Sequence, residues 1–143
     1  MRISRFIKSL ALACLCAFAA AASAQKTQLL VYTALETDQL KAYQEGFNRV
    51  NPDIEIKWVR DSTGVITAKL LAEKANPQAD VVMGVAASSL ALLDKNDMLV
   101  PYAPINLDAI MSQYRDKKNP PAWVGMDVWG ATVCFNTVEA QKR

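Results

Sequence analysis

The sequence contains no histidine. Without it, no Ser–His or Cys–His pair can form, which excludes the commonest arrangements for nucleophilic hydrolysis. The metalloprotease motif HExxH, the hydrolase motif GxSxG and a phosphate-binding loop ending in GK[ST] are also missing. Acidic residues are scattered singly, and no pair of them suggests carboxylate catalysis. We therefore expect a protein that is not an enzyme and needs no cofactor, with an exported hydrolase as a distant alternative.

Cysteine is scarce, with three residues in 143. Cys14 and Cys16 fall in the apolar amino-terminal stretch, which leaves Cys134 alone in the rest of the chain. A single thiol cannot form an internal disulfide, and no metal-binding spacing surrounds it, so we expect no metal site. The prediction for Cys134 is a small buried residue in a strand.

The amino terminus is typical of a secretion signal. Basic side chains at Arg2, Arg5 and Lys8 precede an apolar run over residues 10–22, and the small residues Ala22-Ser23-Ala24 follow. This order predicts a cleavable signal peptide over residues 1–24 and a mature chain that begins at Gln25 in the periplasm. A lipid anchor on Cys14 is the alternative, but Ala11 stands where a lipobox has leucine.

Charge argues against a nucleic-acid partner. Three of the 16 Lys and Arg and none of the 14 Asp and Glu lie in the first 24 residues, so the remainder has a net charge of −1. The slight basicity of the whole chain belongs to its targeting segment. Residues 25–143 are long enough for one domain and are expected to act as a monomer.

Apolar patterning alternates between strand and helix. The predicted strands cover residues 28–33, 54–58, 79–85 and 128–135, with a short apolar segment at 98–100. The predicted helices cover residues 37–50, 61–75 and 86–94, while 101–127 hold four of the six prolines and predict loops. Strands that alternate with helices indicate an α/β fold with a mainly parallel sheet flanked by helices.

Such sheets bind ligands at the carboxyl ends of their strands. Three predicted junctions lie there, at residues 32–36, 60–64 and 84–89. Two of them place Ser or Thr at a helix start, where free N–H groups and the helix dipole favour an anion. Ordinary helix capping explains the same residues and remains the alternative. The candidate binding residues are Thr33, Ala34, Ser62, Thr63, Gly64, Ala87 and Ser88.

Four strings of residues carry a family resemblance: VYTALE, WVRDSTG, AEKANPQADVV and PPAWVGMDVW. With them the chain resembles the amino-terminal part of periplasmic solute-binding proteins of ABC transporters, and within that group the 2-aminoethylphosphonate-binding proteins. The resemblance implies a type II periplasmic-binding-protein fold with two lobes around a ligand cleft. It also implies an anionic organophosphonate as solute and an ABC permease as partner.

A full member of that family is more than twice as long as this chain, so we expect residues 25–143 to form the first lobe of an incomplete two-lobe fold. A remnant without binding function is therefore one alternative. A receptor for another solute or for ferric iron is the other, because related ferric-ion-binding proteins share this layout. Glu36 and Val85 stand at the positions of their histidine and glutamate ligands, and valine cannot coordinate a metal.

Overall fold

A parallel three-stranded sheet forms the centre of the protein. The structure is a computed structural model and describes residues 26–130 and 132–142. The strands are β1 (Thr27–Thr33), β2 (Ile54–Arg60) and β3 (Val81–Met83), in the order β2-β1-β3. The helices are α1 (Thr37–Val50), α2 (Thr63–Ala72), α3 (Ala87–Lys95) and the short α4 (Thr137–Ala140). The predicted α/β fold with a parallel sheet is confirmed.

One face of the sheet carries the main hydrophobic core. Tyr32 of β1 packs there with Ile66 and Leu70 of α2 and with Leu93 of α3. The side chains of Ile66 and Leu93 are almost completely excluded from solvent. Burying one such side chain contributes about 1.5–3 kcal/mol, so these contacts hold α2 and α3 against the sheet.

A polar contact lies at the end of that core. The hydroxyl of Tyr32 donates to both carboxylate oxygens of Glu73, at 3.0 and 3.2 Å, and Lys69 Nζ lies 2.6 Å from Glu73 Oε1. The hydrogen bond from Lys69 lowers the pKa of Glu73, while burial and the Glu73 contact raise the pKa of Tyr32. The ionised Glu73 therefore links β1 to the end of α2.

The opposite face of the sheet is covered by α1. Trp58 pairs with Val31 in the register of β1 and β2, and its indole N–H donates to Gln44 of α1 at 2.6 Å. The helix begins at Thr37, as predicted, with Glu36 as its N-cap. Apolar residues recur at helical spacing along α1, but two of them are largely open to solvent, since Tyr43 is 40 % and Val50 78 % exposed.

Strand β3 is shorter than the predicted run over residues 79–85. The Asp80 carboxylate accepts the N–H of Leu30 at 2.8 Å, in the place where a backbone carbonyl would continue the ladder. At the other end, Gly84 has φ +66°, a left-handed conformation that ends a strand. Only Val81–Met83 therefore pairs with β1.

Helix α2 is also shorter than predicted, since it ends at Ala72 rather than near Ala75.

The segment after residue 100 is mostly irregular, as predicted for 101–127. It contains 3₁₀ turns at Leu107–Ala109 and Ser112–Tyr114, and an antiparallel bridge between Arg115 and Val124. The short apolar stretch at 98–100 forms no strand.

The prediction of a last strand over residues 128–135 is wrong for the described part of that segment. A strand needs a hydrogen-bonded neighbour, and none pairs with these residues. Their apolar side chains are accordingly open to solvent, with Val133 at 89 % and Phe135 at 70 % exposure. Cys134 is exposed as well, which corrects its predicted burial.

Residues 1–24, with the predicted signal peptide and Cys14, lie outside the described residues. Among the helices that the structure does describe, none combines the length and the apolar character needed to cross a bilayer.

Candidate functional site

The carboxyl ends of all three strands meet at one edge of the sheet. Thr33, the last residue of β1, is in register with Arg60 of β2 on one side and with Met83 of β3 on the other. The N–H of Asp61 also donates to the carbonyl of Thr33 at 3.2 Å. The three junctions predicted from the sequence therefore share this edge, called the carboxyl edge below.

Hydrogen bonds to the backbone of the turn after β1 hold the first junction in place. Thr33 is fully buried, and its hydroxyl accepts the N–H of Leu35 at 3.1 Å. Arg60 reaches across from β2, where its Nε donates to the carbonyl of Leu35 at 2.9 Å and its Nη2 pairs with Glu36. Because its side chain is enclosed, Thr33 shapes the turn, and the half-buried Ala34 next to it is the more accessible residue.

The second junction starts α2 with an ordinary cap. The hydroxyl of Ser62 accepts the N–H of Val65 at 3.4 Å, and the Asp61 carboxylate accepts the N–H of Ser62 at 2.7 Å. The capping interpretation is therefore correct for Ser62. The N–H groups of Thr63 and Gly64 belong to the first turn and have no acceptor within the helix. Gly64 is exposed, and a Cβ placed there would meet no atom within 4 Å.

The third junction starts α3 without a side-chain cap. Its N-cap is Ala86, which has no hydrogen-bonding side chain, and the first turn carries no acidic residue. Ala87 and Ser88 are exposed at this start. Uncapped N–H groups and the positive end of the helix dipole favour an anion. Electrostatically, this junction is better suited to an anion than the second, where Asp61 already places a negative charge.

A cavity of about 480 Å³ opens beside the third junction. One wall is formed by β3 and the loop into α3, and includes Ala86 and Ala87. Tyr114, Trp123 and residues 124–129, together called the aromatic wall below, also line it. The cavity lining is mostly apolar, and Asp127 is its one acidic residue among the described residues.

Backbone hydrogen bonds position the aromatic wall. The N–H of Gly125 donates to the carbonyl of Tyr114 at 2.6 Å, and the N–H of Asp116 donates to the carbonyl of Trp123 at 3.1 Å. The Asp116 carboxylate in turn accepts the N–H of Ala122 at 3.0 Å, and this hydrogen bond lowers the pKa of Asp116. A Cβ at Gly125 would lie 2.7 Å from the Tyr114 carbonyl oxygen, so this close approach requires glycine.

The structure thus brings the candidate residues to one edge of the sheet, but their surroundings and contacts differ. Ala87 is the member of the predicted set that lines the cavity in the described part of the chain. Ser62 acts as a cap and Thr33 is enclosed, whereas Thr63, Gly64 and Ser88 present backbone groups at helix starts. Sequence reasoning missed Arg60, whose hydrogen bond to Leu35 joins residues 25 positions apart. It also missed the aromatic wall, whose hydrogen bonds lie within a stretch predicted only as loop.

The positions considered for iron carry no metal-binding arrangement of their own. Val85 is a buried apolar residue, and Glu36 forms an ion pair with Arg60. Within residues 26–130 and 132–142, no group of three or more metal-ligating side chains comes together.

Comparison with known proteins identifies the class. The family described as bacterial extracellular solute-binding protein matches residues 33–133, which is most of the chain. The chain therefore belongs to this family of solute-binding proteins, whose members function in transport rather than catalysis.

Two individual relatives are similar to part of the chain, and the name of one agrees with that assignment. A protein of Sinorhizobium fredii named "Probable ABC transporter periplasmic-binding protein y4fP" is 42% identical over 62 residues, which cover 43% of this chain and 17% of the relative. An uncharacterized protein of Haemophilus influenzae is 29% identical over 91 residues, covering 64% of this chain and 26% of the relative. The chain thus spans about a quarter or less of the length of these relatives.

Solved structures show the same fold. The periplasmic binding protein AfuA from Actinobacillus pleuropneumoniae, solved with exogenous fructose-6-phosphate bound, is 28% identical with a TM-score of 0.58, over 64% of this chain and 28% of AfuA. The periplasmic binding protein P5PA is 25% identical with a TM-score of 0.57, over 62% and 28%. Iron-bound HitA from Pseudomonas aeruginosa, at 19% identity and a TM-score of 0.58 over 64% and 29%, shares the fold.

Proposed function

We propose that the chain belongs to a periplasmic receptor of an ABC importer, and that its carboxyl edge forms one side of the binding site for a small phosphonate or phosphate-ester anion. The observation that carries this proposal is the register of the sheet. It brings the starts of α2 and α3 to the same edge, and the start of α3 lines the cavity. Two helix starts at one edge supply several N–H donors without requiring a basic side chain.

The choice of anion rests on the resemblance and on the donor set. The strings VYTALE and WVRDSTG imply 2-aminoethylphosphonate, and they cover the first two junctions. AfuA, which is similar to this chain, was solved with a sugar phosphate, and that ligand also carries a phosphoryl oxyanion. Phosphoryl oxygens accept several hydrogen bonds at once, which suits N–H groups from two helix starts.

The localisation and the partner follow from the same proposal. The predicted signal peptide would deliver the mature chain, beginning at Gln25, to the periplasm, where a receptor meets its solute. The ABC permease would then receive the solute from the receptor. Mass spectrometry of the exported protein tests the first step, since a mature chain starting at Gln25 is expected. A lipid-modified Cys14 would contradict the soluble periplasmic form.

Isothermal titration calorimetry on the full natural protein tests the solute. We expect tight binding of 2-aminoethylphosphonate and weaker binding of fructose-6-phosphate, with competition between them for one site. Saturable binding of ferric citrate, with no heat from either phosphoryl compound, would instead support the iron receptor.

A pair of variants tests the role of the second junction. Thr63→Ala keeps the backbone N–H but removes the hydroxyl, a further donor at the start of α2, so it should weaken binding by about 1–3 kcal/mol, the scale of a hydrogen bond to a charged group. Ser62→Ala should mainly lower stability, by about 0.5–2 kcal/mol, because its hydroxyl caps α2. The matched control is Thr27→Ala at the opposite end of β1, which should leave affinity unchanged. Equal affinity in Thr63→Ala and the control would remove the Thr63 hydroxyl from the site.

A further inference from the structure

Arg60 stands at the carboxyl edge but is not among the described residues that line the cavity. It is the last residue of β2 and lies two residues before Ser62, the N-cap of α2. Its Nε donates to the carbonyl of Leu35 at 2.9 Å, across 25 residues of chain. Leu35, unlike Arg60, does line the cavity. The contact therefore gives Arg60 an indirect path to the cavity.

The Leu35 carbonyl depends on this arginine. In the part of the chain that the structure describes, no backbone N–H donates to that carbonyl, and Arg60 is its one side-chain donor. Because Leu35 is buried, a carbonyl left there without a donor is costly. The guanidinium also pairs with Glu36, but that carboxylate side chain is 73 % exposed, and such pairs contribute little. The hydrogen bond from Nε is therefore the contact that fixes the turn after β1.

The side chain of Leu35 connects this turn to the end of β3. It packs against Gly84, where an added Cβ would lie 2.6 Å from Leu35 Cδ2. Gly84 is followed by Val85, which belongs to the hydrophobic core, and by Ala86, the N-cap of α3. All four of these residues line the cavity. Since close-packed side chains transmit displacements, a shift of the turn would also shift the third junction.

We infer that Arg60 is a positioning residue for the solute cavity. Its hydrogen bond to the Leu35 carbonyl holds the Leu35 side chain against Gly84, and so sets the position of the start of α3. The inference rests on the proposed function and deepens it, because it names a residue that keeps the third junction in its binding arrangement without contacting the solute. When the turn is loosened, that arrangement is only partly populated, and the apparent affinity falls by the same fraction.

Two variants of Arg60 separate its hydrogen bond from its charge. In Arg60→Gln the amide nitrogen takes nearly the place of Nε, so it can still donate to the Leu35 carbonyl although the charge is lost. Arg60→Met keeps the apolar stem but loses both the donor and the charge. The matched control is Arg49→Met, which removes an exposed arginine from the last turn of α1, at the opposite end of the sheet.

Amide NMR of the full natural protein without solute tests the connection across the sheet. Arg60→Met should shift the amide signals of residues 84–86, Arg60→Gln should shift them clearly less, and Arg49→Met should leave them in place. If the shifts in Arg60→Met are confined to residues 33–36 and 59–62, the effect stays among the immediate neighbours of Arg60 and the inference is overturned.

Calorimetry with 2-aminoethylphosphonate tests the effect on binding. Arg60→Met should lower the affinity about tenfold, the scale of one hydrogen bond from a charged donor, and Arg60→Gln should stay within about threefold of the wild type. Equal losses in the two variants would show that the charge of Arg60 acts on the solute directly. That result, or wild-type affinity in Arg60→Met, would overturn the inference while leaving the receptor intact. Absence of binding in the wild type would contradict the proposed function itself, and the inference with it.

Discussion

Replacing Gly84 with alanine should destabilise the protein strongly, because this residue is constrained in two independent ways. Its φ of +66° lies in the left-handed region, which costs an L-residue about 1–2 kcal/mol. A Cβ there would also stand 2.6 Å from Leu35 Cδ2 and closer still to Leu35 Cγ, inside the buried turn after β1. Overpacking of this kind costs about 1–3 kcal/mol.

The two contributions together predict a loss of about 2–5 kcal/mol, a large share of the roughly 5–15 kcal/mol that holds a typical domain together. Urea denaturation of the mature protein, followed by circular dichroism, measures the loss. Gly64→Ala is the matched control, since its added Cβ meets no atom within 4 Å and it lies in α2, where alanine is the better helix former by about 1 kcal/mol.

A double-mutant cycle separates strain from clash. In a Leu35→Ala background the added methyl group has room, so Gly84→Ala should cost only the backbone strain of about 1–2 kcal/mol. If Gly84→Ala costs less than about 0.5 kcal/mol in the wild-type background, within the range of surface substitutions, the described turn and the contact with Leu35 are wrong.

Three further predictions concern the core, acid stability and the isolated segment. Ile66→Ala should lower the free energy of unfolding by about 2–5 kcal/mol and Ile66→Val by about 0.5–1.5, since Ile66 is fully buried; equal effects in urea denaturation would contradict its place in the core. Glu73, whose pKa is lowered in the folded state, should contribute stability at neutral pH that is lost as the pH falls through that lowered value. This loss should shrink in Glu73→Gln, and parallel pH–stability curves for the two proteins would refute it. Residues 25–143 expressed alone should bind 2-aminoethylphosphonate weakly or not at all, because a two-lobed receptor closes around its ligand and excludes water; micromolar affinity of the monomeric segment in calorimetry would show that one lobe suffices.

Much of the fold could be predicted because its signals are local. The apolar run before Thr33 and the alternation around Trp58 give strands, and Asn51-Pro52 ends α1 close to the predicted residue. The parallel arrangement follows from the alternation of strands and helices. These features depend on neighbouring residues, so the sequence displays them directly.

The errors in the predicted strands arise from contacts between residues that are far apart in the chain. The Asp80 side chain replaces a backbone acceptor for Leu30, fifty residues earlier in the chain, and shortens β3. The apolar pattern of residues 128–135 predicts a strand, but pairing needs a neighbour that the pattern cannot supply. The same apolar pattern predicts a buried Cys134, which is exposed because no strand forms there.

The shared edge of the three junctions could be predicted from the sequence, but the contacts at each junction could not. That two helix starts share one edge follows from the topology of parallel sheets. Whether a hydroxyl caps its own helix, as in Ser62, or is enclosed, as in Thr33, depends on local geometry that composition does not encode. The aromatic wall depends on hydrogen bonds between residues 114–116 and 123–125, which have no sequence signature.

The proposed function requires that an anion bind at the carboxyl edge through the backbone N–H groups of α2 and α3. Two-dimensional amide NMR of the full natural protein during titration with 2-aminoethylphosphonate tests it most directly. The largest shifts are expected at Thr63, Gly64, Ala87 and Ser88, with little change at Thr27 at the opposite end of the sheet. Saturable binding that leaves the amides at both helix starts unshifted would show that the anion binds elsewhere.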